Sequence, residues 1–415
     1  MSIINQIASL HHLPQRSVAA AVQLLEEGNT IPFIARYRKE MTGELDEEQL
    51  RSIQEELLRL RALDDRRETI LKSIEESGEL TSELKDKLLA AETRTELEDL
   101  YLPYKPKRKT RASAAKELGL EPLADLVVEQ ISTVQGRDEI ASPFLSDQIQ
   151  TIEDAWDGAR DIAAEVISTT PEIRKKVRQS ALLVGQISVR AKSEGNDPRG
   201  VYQDYYAFEG KVNRLRPHQI LAFNRGEKEG ALQVKINLSE DSWREVIEEF
   251  FPINPDSPLA RDLEAAIQDA ASRLLLPAIF RDVRRQITEK AEDRALGIFA
   301  KNLRSLLLQP PLAGYTVMGL DPGYRTGCKV AVVDPTGKPL ATETIYPVPP
   351  RAQVDLSRKI VLGLIEEHNV GLIAIGNGTA SRETEEFVAG LTREQDGVNY
   401  LITSEAGASV YSASK

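Results

Sequence analysis

Cysteine is almost absent from the chain. Cys328 is the only one in 415 residues, which excludes an internal disulfide and any zinc site of the Cys-x-x-Cys kind. Histidine is nearly as scarce: His11, His12, His218 and His368 are scattered, without the spacing of zinc ligands or a triad, and read as surface or packing residues. No two glycines are adjacent, no Gly-x-Gly-x-x-Gly follows a strand, and no Gly-Lys-Ser/Thr occurs. The usual phosphate loops are therefore missing, including the second one that an actin or sugar-kinase type ATPase requires. Long apolar runs are lacking too, since the densest, Leu274 to Phe280, is short and contains Pro277. Met1 to Pro14 carries Asn5, Gln6, His11 and His12 where a signal peptide would need a basic end and an apolar block. The expectation is a soluble, cytoplasmic protein with no membrane partner. With 53 basic and 65 acidic residues the formal charge is −12, which argues against coating nucleic acid along the whole surface but leaves room for local basic patches.

What is present is ordinary globular material. Hydrophobic residues make up 41% and charged residues 28%, enough apolar content for real cores, and the length suits two or three domains. Up to about Ala191 the apolar spacing is helical: Val18, Val22 and Leu25 before Gly28, then Ile53, Leu57 and Leu60 continued by Ile70 and Ile74 before Gly78. Thr151 to Asp154 has capping-box spacing and predicts a helix of about four turns through Trp156 and Ile162 to Ile167. Near Gly195 the texture changes. Tyr205, Tyr206 and Phe208, then Ile220 to Phe223, then Leu232 to Leu238 read as three short strands, the last two joined across Gly226 to Gly230. From Leu259 to Leu308 the pattern is helical again, broken or kinked at Pro277, with a final stretch long enough to span domains.

After Gln309, Pro310 and Pro311 the pattern becomes that of an α/β domain. Strands are predicted at Thr316 to Leu320, Cys328 to Val333, Leu340 to Tyr346, Gly371 to Ile375 and Tyr400 to Thr403, with helices from about Ala352 to His368 and Ser381 to Leu391. Two tight turns followed by strand–helix alternation describe a ribonuclease-H-like sheet, an antiparallel meander passing into parallel crossovers. The expected fold class is mostly α, with a small β-sheet, followed by a partial α/β ribonuclease-H-like domain. The domains expected are 1–194, 195–311 and 312–415, the last cut before its next crossover helix.

Gly319-Leu320-Asp321-Pro322-Gly323-Tyr324-Arg325-Thr326-Gly327 places a carboxylate at the end of the first strand of such a sheet, followed by a glycine turn. In this fold class that aspartate binds a divalent metal, which steadies phosphate oxygens and activates water. The fifth strand ends at Thr403-Ser404-Glu405, so Asp321 and Glu405 are the candidate catalytic and metal-binding pair, with Mg as the metal if the site is active and no cofactor required otherwise. Two acids are few for two-metal hydrolysis. The fourth strand leads into Asn377, a neutral amide where a resolvase-type enzyme would carry a carboxylate.

Tyr101-Leu102-Pro103-Tyr104-Lys105-Pro106-Lys107-Arg108-Lys109-Thr110-Arg111 holds bases uninterrupted by acids, beside tyrosines and with prolines to keep it extended. Charge can meet phosphates there while Tyr101 or Tyr104 stacks on a base, so Tyr104, Lys105, Lys107, Arg108, Lys109 and Arg111 are the candidate nucleic-acid contacts. The alternative is a solvated loop. Arg281, Arg284, Arg285, Arg294, Lys301 and Arg304 form a second basic set, but Glu289, Glu292 and Asp293 lie among them and favour ion pairs within the helix. Ile31 to Lys39 reads as a packing helix with arginines at its rim.

In this order and spacing, Ile31 to Glu40, Leu100 to Arg111 and Met318 to Thr326 resemble the Tex family of bacterial transcription accessory proteins. The resemblance implies helix-turn-helix-like parts in the N-terminal region, a long central helix and a YqgF-type ribonuclease-H-like domain, with helix-hairpin-helix and OB-fold RNA-binding domains beyond. It also implies nucleic acid, RNA or DNA, as partner and RNA polymerase as a possible second one. The expected function is a non-catalytic transcription accessory scaffold. A Mg-dependent structure-specific nuclease using Asp321 and Glu405, and a scaffold that docks proteins along the central helix, are the alternatives.

Overall fold

In a computed structural model, residues 2–105, 109–130, 135–192, 197–308, 314–395 and 397–413 are described. The chain forms two compact units, residues 1–291 and residues 292–415.

Helices dominate the first unit, and their starts follow local capping chemistry. The Glu47–Glu76 helix begins behind Asp46, whose carboxylate accepts from the Gln49 N–H at 2.7 Å while Gln49 Oε1 accepts from the Asp46 N–H at 3.0 Å. It serves two cores. Leu50, Ile53, Leu57 and Leu60 pack with the Gln15–Glu26 helix, whereas Leu63, Ile70 and Ile74 pack with Leu84, Leu88, Leu97 and Tyr101. The Thr151 capping box opens the Ile152–Thr169 helix, with both reciprocal bonds at 3.1 Å. Trp156, Ala159, Ile162 and Ala163 on that helix lie at the heart of the largest core. Its alanines let the Arg111–Glu117, Glu121–Glu129 and Ala260–Asp269 helices approach closely, and each large buried side chain contributes on the order of 1.5–3 kcal/mol.

A three-stranded antiparallel sheet joins this core: β1 (Gln186–Ala191), β2 (Ala207–Lys211) and β3 (Leu232–Asn237), in the order β2-β1-β3. The helical reading up to Ala191 therefore ends too late. Helix stops at Val184, and Ile187 and Val189 alternate inward on the central strand. Tyr205 belongs to a short 3₁₀ turn, Gln203–Tyr205, and the strand starts at Ala207. Ile220 to Phe223 is not a strand but part of the Pro217–Lys228 helix. Pro217 sits in its first turn, Gln219 caps Arg216 N–H at 3.0 Å, and Ile220, Phe223 and Gly226 face inward at helical spacing. A run of four apolar residues fits either period, and here the cap decides.

No break occurs at Pro277. The Ala260–Asp269 helix passes through a π-helical segment, Ala270–Leu275, into the Leu276–Leu307 helix. The widened turn relieves the clash that proline would impose on the preceding carbonyls. At about 1.5 Å per residue the last helix is roughly 48 Å long.

The second unit contains a five-stranded sheet: β4 (Val317–Asp321), β5 (Cys328–Val333), β6 (Pro339–Ile345), β7 (Leu372–Gly376) and β8 (Asn399–Thr403). The order is β6-β5-β4-β7-β8, antiparallel from β6 to β4 and parallel from β4 to β8. Met318, Leu320, Cys328, Val330, Val332, Ile373 and Ile375 point to one face, where Val361, Ile365, Val388 and Leu391 of the Val354–His368 and Ser381–Thr392 helices cover them. The chain is thus mostly α, followed by an α/β ribonuclease-H-like sheet.

Candidate functional site

Side-chain alternation in β4 sends Leu320 into the core and leaves Asp321 exposed at the strand's carboxyl end. The turn that follows depends on Gly327, whose φ is +83° and where a Cβ would lie 2.7 Å from the Tyr346 ring. β8 runs parallel two strands away, so its continuation brings Glu405 to the same sheet edge. Asp321 and Glu405 line one cleft of about 1,110 Å³, together with Lys329, Glu343, Thr342, Thr344 and Thr403. The Glu405 carboxylate lies over Gly376 and Gly378, where any Cβ would collide with it. Asn377 occupies the gap between the two acids in the strand order. Its side-chain oxygen accepts from the Glu405 N–H at 3.3 Å, and its own N–H donates to Thr403 O at 3.0 Å. The amide thus fastens the Glu405 segment.

Below Asp321, burial pushes the Cys328 thiol up to about 12, and the Asp321 charge adds to the shift. Lys329 stands opposite Asp321 in register. Among the described residues no three His, Cys, Asp or Glu side chains form a group able to hold a metal ion. Two carboxylates are too few for a two-ion clamp, and the Asn377 side-chain oxygen is already engaged by the Glu405 N–H. Sequence reasoning did not find Lys329 and Glu343. Lys329 alternates with the inward Cys328 and Val330, whereas Glu343 is in phase with Ala341 and Ile345 and carries no signal of that kind.

The basic segment is differently placed. Tyr101 closes the Arg94–Tyr101 helix and is buried, its hydroxyl sharing a hydrogen bond with Ser73 Oγ at 2.9 Å. It cannot stack on a base. Tyr104 is half-buried against the same core, and residues 102–105 form a turn, not an extended strand. Lys107 and Arg108, with Pro106, lie outside the described residues. Lys105 and Lys109 are exposed, Lys109 within 3.5 Å of Glu117, and Arg111 is the exposed first residue of the Arg111–Glu117 helix.

Packing brings Lys105 to a cleft of about 360 Å³ lined by Arg94, Glu98, Asp99, Arg174, Asp282 and Arg285. Its floor is a buried ion-pair node. Asp99 Oδ1 accepts from Arg174 Nε at 2.7 Å, both Asp99 oxygens accept from Arg178, and Asp282 approaches Arg178 at 3.2 Å. At the rim the Arg66 guanidinium holds Glu98 below the usual carboxylate range against the opposing effect of burial, with Lys105 and Arg94 assisting. Four cations (Arg94, Lys105, Arg174 and Arg285) line the cleft with three carboxylates (Glu98, Asp99 and Asp282), an excess of one positive charge on an acidic chain. Arg285 does pair within its helix, with Asp282 and Glu289 at 3.6 and 3.8 Å, but Arg284 reaches Glu227 on a different helix at 2.9 Å. Arg174 went unnoticed in the sequence. The available signal was two arginines four apart on the apolar stripe of Ile173, Val177 and Ala181.

A ribonuclease-H-like domain bearing a two-carboxylate cleft, together with a mostly helical region that holds a small sheet, is the class of protein that these features define. Family models for the Tex-like protein N-terminal domain, the Tex central region-like segment and the Tex protein YqgF-like domain match residues 1–75, 134–299 and 315–415. The chain belongs to the Tex family. It is 41% identical to "Protein tex" of Bordetella pertussis over 100% of this chain and 54% of that one. Identity to "Transcriptional accessory protein Tex" of Neisseria gonorrhoeae is 40%, over 96% and 53%. A human relative, "S1 RNA-binding domain-containing protein 1", is 33% identical over 95% of this chain and 41% of its own length. The chain spans about half the length of the bacterial relatives it matches. No helix among the described residues is long and apolar enough to cross a membrane.

Proposed function

We propose that this chain is the part of a transcription accessory factor that grips nucleic acid by charge and works as a scaffold, without turnover, beside RNA polymerase in the cytoplasm. The observation that carries the reading is the convergence of Lys105, Arg94 and Arg285 around a cleft with an excess of positive charge on a chain of net charge −12. The names of the gonococcal and human relatives point the same way. Nucleic acid would meet the exposed Lys105, Lys109 and Arg111, beside which Tyr104 offers only part of its ring; Lys107 and Arg108 lie in the same stretch of sequence. Replacing Lys105, Lys109 and Arg111 together by alanine should weaken binding to any sequence alike and make log K against log salt shallower by about two to three. An unchanged salt slope removes this face from the interface.

A second reading rests on Asp321 and Glu405 lining one cleft: a metal-dependent nuclease, with these side chains holding Mg²⁺ and the ion stabilising charge on the phosphate. The scaffold reading expects Asp321→Ala to leave nucleic-acid binding and any Mg-dependent phosphodiester cleavage unchanged. Cleavage by the unsubstituted chain that this change abolishes would establish the nuclease instead.

A further inference from the structure

The Ile31–Tyr37 helix packs as its sequence suggests, with arginines at its rim, but through a narrow edge only. Only Ile34 of its seven residues is buried, with Ile31 and Ala35 packed partly against the core. Tyr37 is 65% exposed and Met41, just beyond, is 54% exposed. Helical spacing of four sets the Tyr37 ring against Phe33, with centroids 5.3 Å apart and planes at 46°. The Arg38 guanidinium lies 5.2 Å from the Phe33 centroid. Phe33, half-buried, is therefore braced by Tyr37 and Arg38 and fixes both. Arg36, Arg38 and Lys39 are exposed and form no ion pair among the described residues, although the chain as a whole is acidic. An exposed ring braced within a short segment that also carries exposed cations is an arrangement that single-stranded nucleic acid rewards: a base stacks on the ring while the flanking phosphates meet the charges.

We propose that residues 31–41 form a stacking site for one unpaired base of a single-stranded nucleic acid, with Tyr37 as the platform and Arg36, Arg38 and Lys39 contacting the neighbouring phosphates. The site lies apart in sequence from the cleft at Lys105, and it rests on the reading that this chain binds nucleic acid. Apolar partners would also be drawn to Tyr37 and Met41, but three exposed cations against one acid, Glu40, within residues 31–41 favour a polyanion.

The test compares two probes of equal charge by fluorescence anisotropy, using the 415-residue chain: a labelled 12-mer oligoadenylate and an abasic 12-mer, each in ribo and deoxyribo form. The unsubstituted chain should bind oligoadenylate more tightly than the abasic strand. Tyr37→Ala should weaken oligoadenylate binding about tenfold while leaving the abasic strand within twofold, and Tyr37→Phe should keep the preference. A preference seen in only one sugar series identifies the nucleic acid as RNA or DNA. Because Tyr37 is exposed, its thermal unfolding midpoint should not move. If it does, photo-cross-linking of a 5-iodouracil oligonucleotide to the unsubstituted chain decides, and adducts mapped only outside residues 31–41 overturn the site. Unchanged oligoadenylate affinity in Tyr37→Ala overturns the site and leaves the broader reading standing, whereas no binding by the unsubstituted chain to either probe overturns both. Loss of binding to purified RNA polymerase with oligonucleotide affinity intact would make this a protein-docking face and likewise overturn the proposal.

Discussion

Asp99 in the helical unit and Asp321 in the ribonuclease-H-like unit are both aspartates at the end of a regular element, and their surroundings are opposite. Asp99 is 5% exposed, both oxygens held by Arg174 and Arg178, and it ties the Arg94–Tyr101, Pro171–Val184 and Leu276–Leu307 helices together. Asp321 is exposed, has no ion pair among the described residues, and faces a cleft. A paired, buried charge fixes structure, because its desolvation is offset only while its partners stay in place. An unpaired carboxylate on a cleft is free to meet a ligand. The same residue type thus marks architecture in one unit and a candidate site in the other, and the discriminating quantity is burial together with partners.

Breaking the contrast from the buried side should have the largest effect. Asp99→Ala leaves two buried guanidinium groups with only the partly exposed Asp282 as counter-ion, and about 3–5 kcal/mol of stability should be lost in urea titration. A loss below about 1 kcal/mol would mean that water reaches the node. Glu98 at its rim gives a smaller, pH-dependent effect. Its folded-state pKa is lowered, chiefly by Arg66, so its contribution is complete above the ordinary value of 4.5 and is lost as pH falls through the lowered one. Stability should therefore decline on acidification below about pH 4.5, and Glu98→Gln should flatten that limb. From the exposed side the effect should be smallest. Asp321→Asn should change stability by less than about 0.5 kcal/mol. The neighbouring Cys328, whose thiol is pushed up to about 12, should resist iodoacetamide at pH 8 in the folded chain and react promptly in urea. Burial is the larger cause of that shift, so Asp321→Asn should leave the native thiol protected.

Elements with a local cause were legible in the sequence. Capping at Thr151 and the helix from Ile152, the stop at Gly28, and all five strands of the ribonuclease-H-like sheet follow from nearest-neighbour chemistry and period-two or period-3.6 patterning. Ile220 to Phe223 misled because four contiguous apolar residues satisfy both periods, and β1 was hidden because its alternation adjoins a helix without a break in composition. The candidate site was half legible. Asp321 and Glu405 could be placed on one edge because parallel topology dictates it, but the burial of Tyr101 and the exposure of Tyr37 could not. Both are tyrosines beside basic residues. Which one points into a core depends on helices elsewhere in the chain.

By itself, then, the sequence determined the locally capped helices, the strands of the α/β part with their antiparallel-to-parallel pattern, and the absence of the motifs that P-loop, zinc-dependent or disulfide-bonded proteins need. These are settled over a few residues, where dihedral preferences, caps and hydrophobic spacing act. Tertiary structure alone decided the fate of the charges. Lys105, Arg174 and Arg285 share a cleft, and Arg36, Arg38 and Lys39 keep their charge unpaired, because long side chains find partners across helices that are distant in sequence. An ion pair within about 4 Å depends on that packing geometry, and no local pattern encodes it.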